Sequence, residues 1–148
     1  MSLNEQLNDD IKTAMKQGDK VTLATLRNLR AAIRYAEIDA GADLDDAGVV
    51  AVITKQAKQH RDSITEFTKA GRTDLVETEA AELAILKKYL PAQLSEAEIK
   101  EKAQAVISDL GVSDIKGMGL VMKQLMADLK GQADGKMVNQ VVRQLLTN

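Results

Sequence analysis

The chain carries one histidine, His60, and no cysteine, and these two counts bound the chemistry it could do. Without thiols there is no disulfide, no thiolate zinc site and no cysteine nucleophile. A lone histidine with no neighbouring Cys or second His lacks the ligand set of a zinc site, and as a general base it would need an orienting partner. Helix packing or a surface hydrogen bond is the expected use of its ring. Glu79 and Glu82, three residues apart on a predicted helix, could form an acid and base pair, yet the sequence places no further carboxylate to face them. They are expected to complement the start of their helix or to pair with Arg72 and Lys87. The expectation is therefore no catalytic residue, no metal ligand and no cofactor.

The cations offer a different chemistry, the binding of phosphate. In Lys116-Gly117-Met118-Gly119 two glycines bare the backbone where a helix is expected to start, so unpaired N–H groups and the positive end of the helix dipole could meet an anion. Lys123 adds charge one turn later. A second junction, Lys130-Gly131-Gln132-Ala133-Asp134-Gly135-Lys136, is the weaker anion site, because the Asp134 carboxylate would itself occupy the N–H groups and repel phosphate. From Ile115 onward Lys116, Lys123, Lys130, Lys136 and Arg143 are set against only Asp128 and Asp134, although the net charge of the whole chain is -2. Arg27, Arg30 and Arg34 recur at helical spacing and form one positive stripe, either facing phosphate or solvated and paired with acids such as Glu37. Met118, Met122 and Met126 step by four and read as core, since methionine fills irregular gaps.

Helices must position all of these groups. Hydrophobic residues make up 45% of the chain and aromatics 2%, so the core is one of Leu, Ile, Val, Met and Ala. Ser2 with Glu5 forms a capping box for a first helix whose Leu3, Leu7, Ile11 and Met15 share a face, and Gly18 ends it. A second runs from about Asp19 to Ala40, with Leu26, Leu29, Ile33 and Ala36 inward and Gly41 as its stop. Asp45 caps a third that reaches Gly71, and a fourth runs from Thr73 or Asp74 to Pro91, the only proline. A second capping box, Ser95 with Glu98, opens a fifth helix over Glu96 to Leu110. The sixth spans about Gly119 to Lys130 and the seventh begins after Asp134. This spacing predicts an all-α chain with an N-terminal four-helix bundle over 1–92 and a C-terminal three-helix bundle over 93–148. No strand-like alternation is present, which excludes phosphate-binding folds that need a strand leading into a glycine loop.

Several of these segments resemble the small bacterial YqeY proteins, which share their fold with the tail of the GatB subunit of the tRNA-dependent amidotransferase. In the first unit the likeness rests on Leu26-Arg27-Asn28-Leu29-Arg30-Ala31-Ala32-Ile33, Arg61-Asp62-Ser63-Ile64 with Phe67, Ala70-Gly71-Arg72, Asp74-Leu75, Glu79, Glu82, Ile85-Leu86 and Tyr89-Leu90-Pro91 with Gln93-Leu94-Ser95. In the second it rests on Met118-Gly119, Val121-Met122, Leu125-Met126, Lys130-Gly131 and Ala133-Asp134-Gly135. Where that family has Met-Gly-Lys-Val-Met-Gly, this chain has Met118-Gly119-Leu120-Val121-Met122-Lys123, so the basic residue lies three positions later and keeps nearly the same helix face.

The resemblance implies the four-plus-three helix division and, by analogy with a tail that holds the body of a tRNA while chemistry occurs elsewhere, a non-catalytic protein that binds tRNA or other structured RNA. The RNA-binding residues expected are Lys116, Gly117, Gly119, Lys123, Lys130 and Lys136. Tyr35, Phe67 and Tyr89 are the whole aromatic supply and are expected in the core, which argues against a binder that stacks single-stranded bases. The alternative is an interaction or assembly factor for an amidotransferase or another translation-related protein. Least favoured is a carbon-nitrogen ligase with glutamine as amide donor, a label that describes kinship. The N-terminus lacks a signal-peptide pattern and no run is long enough to span a bilayer, so the expected location is cytoplasmic and no membrane partner is expected.

Overall fold

The computed structural model describes residues 1–147 and is all-helical, with seven α-helices and no strand among the described residues. None of these helices is long and apolar enough to cross a membrane. The chain divides into two compact units, Met1–Leu90 and Pro91–Asn148.

The first unit holds α1 (Leu3–Gln17), α2 (Lys20–Ala40), α3 (Asp46–Lys69) and α4 (Thr73–Lys87). Ser2 accepts from the Glu5 N–H while the Glu5 carboxylate accepts from Ser2, so the expected capping box closes α1 at its start. Asp19 and Asp45 cap α2 and α3 by accepting from the Thr22 and Gly48 N–H groups. Leu7, Ile11, Leu26, Leu29, Ile33, Val49, Ile53 and Leu86 form the apolar centre. Met15 does not join it. It is 53% exposed and Ala14 is buried in its place, because a row spaced strictly by four drifts around the helix by roughly 40° per step.

The α3 and α4 pairing is the most extensive in this unit, and the chain reverses between them at Gly71. That residue has φ 69°, a left-handed conformation that costs a side-chain-bearing residue, and it lets the Arg72 N–H reach back to the Phe67 carbonyl at 3.0 Å. Helix α4 stops at Lys87, short of the expected end at Pro91. Pro91 disfavours helical geometry at Leu90. The chain tightens instead, with Lys88, Tyr89 and Leu90 donating to the carbonyls three residues back at 3.3, 3.1 and 3.2 Å.

The second unit holds α5 (Glu96–Leu110), a one-turn 3-10 helix (Ile115–Gly117), α6 (Met118–Asp128) and α7 (Gly135–Thr147). Ser95 and Glu98 form the second capping box. Ile99, Ala103, Val121, Leu125, Leu129, Val138 and Val142 fill its core. The lead-in segment is tied to the turn between α6 and α7: the Gln93 amide donates to the Gly131 carbonyl at 2.6 Å and the Leu94 N–H to the Gln132 carbonyl at 2.8 Å. Met118 and Met122 pack against this core, but Met126 is exposed. The same drift that releases Met15 carries the third methionine out of the core.

Candidate functional site

Lys116 lies in the 3-10 turn, and its own N–H is already taken by the Asp114 carboxylate at 3.0 Å. The bare backbone expected there is thus capped in part. Gly117 has a packing reason for its identity: a Cβ at this position would lie 2.3 Å from Val112 Cγ1, closer than any side chain can stand. Gly119 differs, since it is exposed and nothing lies within 4 Å of where its Cβ would be. The start of α6 has no side-chain cap. Gly119, Leu120, Lys123, Met126 and Ala127 follow each other at helical spacing on the exposed face of α6, with Lys116 before them and Lys130 in the turn beyond. Lys116, Lys123 and Lys130 form no ion pair among the described residues. Lys136 stands apart from this row on α7, where the Asp134 carboxylate accepts from its N–H at 3.3 Å. The row is not purely basic, because Leu120 is 65% exposed within it.

The arginine stripe of α2 opens onto a groove of about 790 Å³, lined by Arg27, Arg30 and Arg34 with Asn4 and Asn8 of α1, Asp43 and Leu44. Pairing with Glu37 is not what the structure has: that carboxylate accepts from the Leu44 N–H at 3.0 Å. The three arginines are exposed and form no ion pair among the described residues. Tyr35, expected in the core, is 71% exposed. Leu26, Leu29 and Ile33 fix the buried stripe of α2, and a residue two positions past Ile33 falls roughly 200° around the helix. Tyr89 is the aromatic that is buried, and its hydroxyl donates to Asp10 Oδ2 at 2.5 Å. Burial first, then the hydrogen bond to Asp10 and its negative charge, raise the Tyr89 phenol well above its ordinary value.

A third constellation has no local signature in the linear sequence. His60 on α3 and Glu82 on α4 are equidistant from Gly71 in the chain, so the antiparallel hairpin sets them opposite one another, with Glu79 one turn away on the same face. His60 Nδ1 meets Glu79 Oε2 in a direct hydrogen bond and lies 3.6 Å from Glu82 Oε2. One potential ligand atom from each of the three lies within 4.8 Å of the others. The side chains are 20%, 23% and 27% exposed for His60, Glu79 and Glu82, respectively. Arg72, expected as a partner for these acids, is committed to Asp74 through two hydrogen bonds of 3.2 and 3.0 Å. The signal that could have found this site is mirror symmetry about the turn glycine.

Comparison with known proteins places the chain in a family. Residues 4–146 match the family described as Yqey-like protein. Among curated proteins, the chain is similar to altered inheritance of mitochondria protein 41, mitochondrial, of Lachancea thermotolerans, with 42% identity over 112 residues that cover 73% of this chain and 59% of the relative. Its counterpart in Pyrenophora tritici-repentis is 33% identical over 145 residues, 95% of this chain and 79% of the relative. That of Clavispora lusitaniae is 34% identical over 131 residues, covering 86% and 76%. The match therefore spans less than two thirds of the first relative's length and about three quarters or more of the other two. These names overturn the cytoplasmic expectation, for the relatives are mitochondrial proteins and point to the mitochondrion rather than the cytoplasm. On the match across residues 4–146, the chain belongs to the Yqey-like protein family.

Proposed function

We propose that this protein is a non-catalytic module that binds structured RNA, tRNA being the first candidate, through backbone phosphates. The observation that carries the reading is the exposed row Lys116, Lys123 and Lys130, none ion-paired among the described residues, running past the open backbone of Gly119. Unpaired ammonium groups suit phosphate oxygens, which position a nucleic acid without reading its sequence. Gly117 supports the row by letting Val112 pack beneath it, and Lys136 extends the charge onto α7. The exposed arginines of α2 offer a second phosphate-binding surface on the other unit. In this reading the two units are a four-helix bundle and a three-helix bundle, as in the amidotransferase tail that the sequence resembles.

The test is a titration with bulk tRNA at two salt concentrations, comparing the unmodified chain with Lys116→Ala/Lys123→Ala. The double variant is expected to bind more weakly, and the slope of log affinity against log salt should fall by roughly one unit for each phosphate that a lysine no longer neutralises. Equal binding by the variant, or no binding by the parent at low salt, overturns the reading for this face. One observation favours a second reading. Leu120 and Met126 interrupt the lysines with exposed apolar surface, which suits a protein partner such as an amidotransferase or another translation component. A partner held that way would be released by Leu120→Asp and would depend little on salt.

A further inference from the structure

We infer that His60, Glu79 and Glu82 form a binding site for a divalent transition metal of the zinc class, bridging α3 and α4. This inference is independent of RNA binding. Two carboxylates converge on one imidazole, and no lysine or arginine forms an ion pair with either among the described residues. Their combined charge exceeds what a single imidazolium can neutralise, and partial burial strengthens the residual repulsion. A divalent cation between them balances it.

The donor set also selects the ion. Imidazole nitrogen with carboxylate oxygen suits zinc and its first-row neighbours, whereas magnesium and calcium prefer oxygen alone. Tetrahedral ligands at zinc distances stand about 3.3 Å from one another. The 3.6 Å separation of His60 Nδ1 and Glu82 Oε2 is already close to that. Binding would replace the direct His60–Glu79 hydrogen bond, because ligation needs the ring nitrogen without its proton. Three protein ligands leave a position for water, and side chains exposed by 20% to 27% give the ion a way in. The ligands come from two helices whose register is fixed by the Gly71 turn, so the ion would cross-link the hairpin.

His60 is the only histidine, so its ring signals in an NMR spectrum report on this site alone. The full chain, stripped with chelator, is titrated with zinc chloride while those signals and the heat of binding are followed. Saturable binding of one ion per chain, a shift of the His60 resonances and a rise in melting temperature with zinc are expected. Glu82→Gln keeps the shape of the side chain and should weaken binding at least tenfold, and His60→Gln should abolish it. Circular dichroism of the metal-free variants separates loss of the site from loss of the fold. The inference is overturned if zinc leaves the His60 signals in place, or if the folded Glu82→Gln chain binds as tightly as the parent. Either result would make the cluster an ion pair only.

Discussion

The lysine row of α6 and the His60–Glu79–Glu82 cluster are built in opposite ways. The row comes from one short stretch of chain, and the face of its α6 residues follows from helical spacing, so a reader of the sequence can draw it. The cluster exists only after two helices fold back on each other. Its residues lie on opposite sides of Gly71, on two different helices, and no local pattern joins them. What differs energetically is the support. The row needs α6 to be helical and seated, whereas the cluster needs the register between α3 and α4 to be right to within one turn. Damage to packing should therefore strike the two sites separately.

The largest expected effect tests that separation. Leu86 is fully buried on α4, one turn after Glu82. Leu86→Ala removes core volume and is expected to cost about 2–5 kcal/mol. Measured by chemical denaturation, the destabilisation should fall on the first unit and take zinc binding with it, while tRNA binding through α6 persists. We propose further that the second unit folds alone. A fragment of residues 95–148 should keep helical circular dichroism and melt cooperatively, though with only marginal stability for its size. A random-coil spectrum from that fragment would tie the lysine row to the first unit after all.

Gly117→Val works from the other side. Its new side chain would collide with Val112, whose methyl lies 2.3 Å from the Cβ position. Relief requires the 3-10 turn to shift, at a cost of about 1–3 kcal/mol. Affinity for tRNA should drop, because the Lys116 turn moves relative to α6, and the His60 ring signals should stay where they were. Gly119→Ala is the control, since its Cβ would meet nothing within 4 Å. A small change in stability is expected there, and a drop in RNA affinity only if a phosphate approaches that backbone closely.

How far the fold can be read in advance follows the same division between local and assembled features. Capping boxes at Ser2 and Ser95 and the stops at Gly18, Gly41 and Gly111 are local chemistry, and each falls at its expected position. Side-chain direction is legible only while the spacing keeps phase. Met15 and Met126 rotate out of rows spaced strictly by four, and Tyr35 faces solvent because the buried stripe is already set by Leu29 and Ile33. The pairing of His60 with Glu79 depends on the turn at Gly71, a tertiary fact. Glu37 departs from its expected pairing for a related reason: an acid near surface arginines is a natural partner for them, but the loop after α2 brings the Leu44 N–H to it first.

Tyr89 offers the most specific of these tests. Helix α4 is held through Glu79 and Glu82 on one side, and the Tyr89 hydroxyl, just past its end, reaches Asp10 of α1 at 2.5 Å. Tyr89→Phe keeps the ring and removes this bond, which should cost about 1–2 kcal/mol. Its signature lies in pH. Burial and the Asp10 carboxylate raise the phenol above its ordinary value, so the folded chain keeps the proton at a pH where the unfolded chain has released it. The unfolded state then binds fewer protons, and stability falls as pH rises. That contribution is fully present below about pH 10, the ordinary phenol value, and is lost progressively above it. Denaturation measured across that range should show a downward slope in the parent that Tyr89→Phe flattens. Zinc binding by the variant at neutral pH should be unchanged, since the Gly71 turn and not Asp10 sets the register of the hairpin. A parallel loss of zinc affinity would mean that α1 also holds α4 in register, and the cluster would then depend on three helices instead of two.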